Sequence, residues 1–167
     1  MYNNLFNMAR ASPLIINIIV LVDFIITKNL KKLFFLLFII FNGGFNYIIK
    51  HFILKPILGN KEHAIIGSGS RPKGAKNCGH FINNKKATTY GMPSGHSQNI
   101  SLFVTYYILE LLDSIDSHKN ILILLLIITG IFIMYSRVKF RCHTIQQVIL
   151  GGIIGVAMGN IFYKFVN

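Results

Sequence analysis

The segment YGMPSGHSQ, Tyr90 to Gln98, sets a histidine, His96, behind a turn of small residues and just before an apolar run. A second segment, SRVKFRCH, opens on Ser136-Arg137 and ends on His143. Histidine serves as nucleophile or as general acid according to its protonation. Arginine offers a planar fork of donors and lysine a point charge. Serine, glycine, arginine and histidine on two loops between apolar helices suit an oxyanion that needs donors on several oxygens, above all phosphate. In a chain this apolar, the phosphate is expected on a lipid.

The turn Pro93-Ser94-Gly95-His96 falls at a helix N-terminus, where backbone N–H groups favour an anion. Gly95 permits close backbone approach. Ser94 either bonds a phosphoryl oxygen or only caps the helix. Arg137, six residues before His143 at the end of a helix, is read as a phosphate ligand. Lys50 and Arg71 lie on the loop side, and head-group contact by a snorkelling side chain is the competing role for any one cation there. His51, His63, His80 and His118 lack such a context and are read as surface or interface histidines.

Composition narrows the class. The 167 residues are 53% hydrophobic, with mean hydropathy +0.55, and carry 17 Lys+Arg against 5 Asp+Glu for a net charge of +12. Few acidic groups argue against a carboxylate pair or a carboxylate metal site. A basic balance alone fits nucleic acid, a membrane surface or an anionic substrate; the apolar runs exclude the first. Cys78 and Cys142 both lie beside the suspected site, and they either pair, if that face is oxidising, or remain two thiols. The start, MYNNLFNMAR, does not read as a cleaved signal, so the first apolar run is expected to be retained.

Five runs approach the roughly 20 residues needed to cross a bilayer core: 12–27, 33–54 (interrupted by Gly43-Gly44), 98–112, 121–135 and 145–166. The expected fold is an all-α, integral membrane, antiparallel helical bundle in one domain, 1–167, with a long polar active-site loop over 55–93. Gly151, Gly155 and Gly159 recur at spacing four, which lets two helices approach closely in lipid. Two helices separate the two histidine loops, so the loops share one membrane face. The short KNLKK turn argues that the opposite face is cytoplasmic.

Together these segments resemble the type 2 phosphatidic acid phosphatase (PAP2) superfamily of membrane lipid phosphatases. Its motifs are a lysine followed by Arg-Pro, a PSGH segment, and SR-x5-H followed four residues later by aspartate. Here PSGH is Pro93 to His96 and SR-x5-H is Ser136 to His143. The closer likeness is to dolichyl-diphosphatases, through YGMPSGHSQ and HTIQQVILGG. The resemblance covers about residues 46 to 152 and implies that His143 is the nucleophile and forms a phosphohistidine, while His96 is the general acid. It also implies that Ser94, Gly95 and Arg137 hold phosphoryl oxygens and that neither metal nor cofactor is needed. Two departures stand out. Six residues past Lys50 there is no Arg-Pro, which occurs instead at Arg71-Pro72; Lys50 is expected to keep its place while Arg71 supplies the guanidinium from a lengthened loop, with Lys55 or Lys73 as substitutes. Gln147 stands where many members have aspartate, and its oxygen still orients His143 without adding charge.

The expected function is therefore hydrolysis of dolichyl or polyprenyl diphosphate to the monophosphate, by a multi-pass protein of the endoplasmic reticulum or another endomembrane with its site facing the lumen. Its partners are the lipid phosphate and membrane lipids, and not nucleic acid. The alternatives are a phosphatidate or other lipid phosphate phosphatase, and a non-catalytic lipid-binding membrane protein.

Overall fold

The computed structural model describes residues 2–75, 78–79, 87 and 89–167, with side chains from residue 8 onward. Its regular structure is helical: α1 (Tyr2–Thr27), α2 (Leu30–Ile48), a π-helical stretch Ile49–Leu54, the short α3 (Lys55–Leu58), α4 (Gly95–Asp113), α5 (Lys119–Lys139) and α6 (Ile145–Val166). Gly43-Gly44 does not interrupt α2, since a helix tolerates glycine where lipid or neighbours supply the packing. The widened π stretch comes just before Pro56, which has no N–H for the carbonyl four residues back. Lys50 is buried within that stretch.

Among the described residues, four stretches are long and apolar enough to cross a membrane: Met8–Thr27, Leu30–Leu58, Lys119–Lys139 and Ile145–Val166. The fifth long helix, α4, falls short because it carries Ser97, Gln98, Asn99, Ser101, Thr105 and Glu110. It packs against α1, α2, α5 and α6, so protein rather than lipid surrounds it. Its polar side chains bond inward: Asn46 Nδ2 donates to Gln98 Oε1 at 2.7 Å, and Gln98 Nε2 donates to Asn42 Oδ1 at 2.6 Å. At the far end from the histidine loops, Lys32 pairs with Asp23 at 3.2 Å and with Glu110, while Tyr107 donates to Asp23 at 2.6 Å.

The closest crossing joins α4 to α6. A Cβ on Gly151 would stand 2.5 Å from the Ser94 carbonyl oxygen, on Gly155 2.2 Å from that of Gln98, and on Gly159 2.9 Å from that of Leu102. The glycine spacing thus works as the sequence led one to expect, with backbone seated on backbone. This contact places His96 at the start of α4 beside the start of α6, which follows His143.

Filling that crossing should break it. Gly155→Leu is expected to cost at least the roughly 1–3 kcal/mol of an overpacked core, seen as a lowered melting temperature in detergent. Gly43→Ala, whose added carbon meets nothing within 4 Å, should leave stability unchanged or raise it by about 0.5–1 kcal/mol. Equal melting of the two variants would contradict the crossing.

Candidate active site

His143 occupies the turn between α5 and α6 and is 3% exposed. Thr144 follows it as the cap of α6, its hydroxyl accepting from the Gln147 backbone N–H at 3.3 Å. The Gln147 side chain is held at both ends. Its amide nitrogen donates to the carbonyls of Ser70 at 2.7 Å and Gly69 at 3.2 Å. Its oxygen therefore faces Thr144 N at 3.2 Å and His143 Nδ1 at 3.1 Å. An amide oxygen only accepts, so Nδ1 carries the ring proton and Nε2 keeps its lone pair.

That lone pair points at a cation. Arg71 Nη1 lies 3.2 Å from His143 Nε2 and donates to the Cys142 carbonyl at 2.9 Å. Thr89 holds the rest of the fork, its carbonyl taking Nε at 2.9 Å and its hydroxyl taking Nη2 at 2.8 Å. Burial lowers Arg71 to a pKa of about 10, still cationic at neutral pH. Burial also holds His143 well below the usual histidine value, helped by the charges of Arg71, Lys50 and His96 and only partly opposed by the Gln147 hydrogen bond. Arg71 is thus brought to His143 despite its displaced position in the chain, and Lys50 is close enough to act on the same ring.

The loop reaches this position because it is stitched to α6. Ile145 N donates to the Ile65 carbonyl at 3.0 Å, Thr144 Oγ1 to the Gly67 carbonyl at 2.5 Å, and Gly67 N to Gln146 Oε1 at 2.7 Å. Gly91 lies where no other residue fits, since a Cβ there would stand 2.7 Å from the Gln147 amide and 2.8 Å from Arg71 N.

Ser94 is fully buried and caps α4: its oxygen accepts from Ser97 N at 3.4 Å and Ser97 Oγ at 2.9 Å, and its own N–H donates to the Gln147 carbonyl at 2.9 Å. The capping role is therefore present. Gly95 opens α4 directly over Asn46, whose Oδ1 would lie 3.2 Å from an added Cβ. Arg137 is fully buried, with Nη1 donating to the Cys78 carbonyl at 3.4 Å and Nη2 without a partner among the described residues. Its backbone carbonyl takes the N–H groups of Cys142 and His143 at 2.9 and 3.2 Å. Cys78 and Cys142 form a disulfide, which decides between the two readings of that pair and binds the loop to the residue before His143.

A cavity of about 210 Å³ lies on the outer side of Arg71, with His51, Lys55 and Glu62 among its walls; neither His96 nor His143 lines it. His51 thus borders this cavity, its ring 4.4 Å from that of Tyr47 and tilted to it by 38°. His63 packs against Gly67, His118 precedes α5, and His80 lies outside the described residues.

One site-end residue lies outside the sequence motifs. Arg10, in α1, accepts at its carbonyl a 2.9 Å hydrogen bond from His96 Nε2. Its guanidinium sits 5.2 Å over the Phe140 ring, with a buried Nε that has no partner among the described residues. Five passes put the start of α1 on the same face as the two histidine loops, and that parity is its sequence signal.

The PAP2 superfamily model matches residues 31–167. The chain belongs to the PAP2 superfamily. It is 30% identical to dolichyldiphosphatase 1 of Rhinolophus ferrumequinum over 92% of this chain and 60% of that protein. It is 29% identical to dolichyldiphosphatase of Saccharomyces cerevisiae over 93% of this chain and 60% of that protein. A lipid phosphate phosphatase, epsilon 1, of Arabidopsis thaliana is 29% identical over 62% of this chain and 40% of its own length. The chain thus spans about 60% of the length of the dolichyldiphosphatases it matches. No solved structure matches.

Two outcomes follow from this geometry. Gln147→Glu should destabilise the protein by about 1–3 kcal/mol, because a carboxylate oxygen would face the Gly69 and Ser70 carbonyls; unchanged melting would refute the two-ended role. The pH dependence has a definite sign. His143 has its folded-state pKa below the unfolded value of about 6.5, so the unfolded chain takes up the proton first. Stability from neutral His143 is present above about pH 6.5 and is lost as pH falls below it. The melting-temperature drop between about pH 8 and about pH 5.5 should shrink in His143→Asn.

Proposed function

We propose that this chain hydrolyses dolichyl or polyprenyl diphosphate to the monophosphate, without a metal or cofactor, through a phosphohistidine on His143. The observation that carries this reading is the buried His143, its Nδ1 proton held by Gln147 and its Nε2 lone pair turned to Arg71. A neutral, oriented imidazole beside a guanidinium is what attack on a phosphoryl group requires.

In the proposed reaction the Nε2 lone pair forms a bond to the terminal phosphorus. The bond from that phosphorus to the bridging oxygen breaks, and polyprenyl monophosphate leaves. His96 protonates the departing oxygen, its ring held in place by the Nε2 bond to the Arg10 carbonyl. Water then attacks the phosphohistidine, His96 accepts its proton, and inorganic phosphate is released. Arg71, Lys50 and the Nη2 of Arg137, which has no partner among the described residues, balance the phosphoryl charge, with Ser94 and Gly95 presenting the start of α4. Binding two phosphoryl groups accounts for the cations better than a monoester does. The disulfide supports a site facing an oxidising compartment, such as the lumen of the endoplasmic reticulum.

The same chemistry would serve phosphatidate or another lipid phosphate, the class in the name of the Arabidopsis relative. Purified protein offered polyprenyl diphosphate, phosphatidate and isoprenoid monophosphates in a chelator separates these readings. The expected result is phosphate release chiefly from the diphosphate, a loss of roughly 10³-fold or more in kcat for His143→Ala, and a smaller loss of about 10²-fold for Arg71→Ala. Release by His143→Ala at the wild-type rate, or a requirement for added divalent metal, would overturn the mechanism. No release from any substrate would leave the non-catalytic reading standing.

A further inference from the structure

A groove of about 370 Å³ runs between α1, α4 and α5, lined almost wholly by apolar side chains. Its position is tied to the candidate site on all three walls. On α4, Ile100 and Phe103 follow His96 by four and seven residues and so continue its face. On α5, Ile133 precedes Arg137 by four. On α1, Met8, Ala9 and Ser12 flank Arg10, whose carbonyl holds the His96 ring. The groove therefore begins one helical turn below the cations and the general acid.

Its length has a meaning. From Met8 to Ile19 along α1 is about 16 Å at 1.5 Å per residue, roughly half of a 30 Å hydrocarbon core. It thus descends from the site into one leaflet. Of two further large apolar grooves among the described residues, one, walled by Phe34 and Phe165, sits at the opposite end of α2 and α6, away from the histidines, and the other runs between α4, α5 and α6 past Ser101, Met134 and Ile153.

We propose that the α1–α4–α5 groove holds the first isoprene units of the lipid diphosphate, its head lying under Arg10, His96 and Arg137, with the rest of the chain in the bilayer. This rests on the lipid phosphatase reading and specifies its lipid-binding half. Of these grooves, the α1–α4–α5 one borders Arg10 and continues the face of His96 four and seven residues on, so it offers a diphosphate held by the cations a direct apolar path downward. A groove that spans one leaflet senses the start of the chain and not its end.

The test uses full-length protein in detergent with isopentenyl, farnesyl and long-chain polyprenyl diphosphates. kcat/KM should rise from the first to the second and then level off. Thr129→Trp, on the exposed rim of the groove, should lower the ratio of farnesyl to isopentenyl kcat/KM by about tenfold, as expected for displacing roughly two buried methylenes. Ile153→Trp, in the α4–α5–α6 groove, should leave that ratio unchanged. An unchanged ratio in Thr129→Trp, or an equal fall in both variants, overturns the groove. A diazirine placed on the first isoprene unit of a polyprenyl diphosphate reads the groove without turnover. It should label α1 and α5 in His143→Ala, and excess unlabelled diphosphate should compete while phosphatidylcholine does not. Labelling confined to α2 and α6, or competed equally by phosphatidylcholine, overturns the proposal and marks the groove as an ordinary lipid seat. Competed labelling in a wild-type protein that hydrolyses none of the substrates would keep the groove and sink the catalytic reading.

Discussion

The Gln147 side chain is the joint on which the site end of this bundle depends. One amide group meets four partners: His143 and Thr144 at its oxygen, Gly69 and Ser70 at its nitrogen. Its oxygen selects the His143 tautomer, and its nitrogen pins the loop that delivers Arg71. A carboxylate could do only the first of these, because it has no N–H to give the loop carbonyls. The glutamine is thus matched to the long loop. With the guanidinium on a remote segment, the group that orients the histidine also fastens that segment.

Beneath this joint the bundle solves a problem of burial. Polar side chains on α4 are costly in lipid but cheap when each finds a partner on a neighbouring helix. Asn42, Asn46 and Gln98 supply one such chain of bonds under the site, and Lys32, Asp23, Tyr107 and Glu110 a second at the far end. The glycine stripe of α6 lets the backbones approach closely enough for the first turns of α4 and α6 to share hydrogen bonds, including Ser94 N to the Gln147 carbonyl. Close packing and the placement of the two histidines are therefore one feature.

The disulfide adds a covalent limit on the same region. It joins Cys78 in the loop to Cys142, while the Cys78 carbonyl takes a donor from Arg137. Loop, turn and helix end are coupled through it to the backbone that carries His143.

Much of this was legible in the residues. Apolar run lengths give the helices, because the bilayer core sets how many residues a span needs, and parity then assigns both histidine loops to one face. The PSGH and SR-x5-H segments name His96, Arg137 and His143, because their spacing is local and helix-bound. Gln147 follows from one helical turn. The spacing also marked α6 as the close-packing helix. Other features depended on contacts between distant segments. Local spacing could not locate Arg71, since a loop with no period leaves its path open; only hydrogen bonds to Thr89, Cys142 and α6 bring it to His143. Nor could it show Arg10 beside His96, the pairing of Cys78 with Cys142, or that α4 is enclosed by its neighbours rather than by lipid. Sequence alone determined which elements form and which residue types can do phosphoryl chemistry, because helix length and helical spacing are local properties. Tertiary structure decided which cation meets the histidine, because that is a question of distance across the fold.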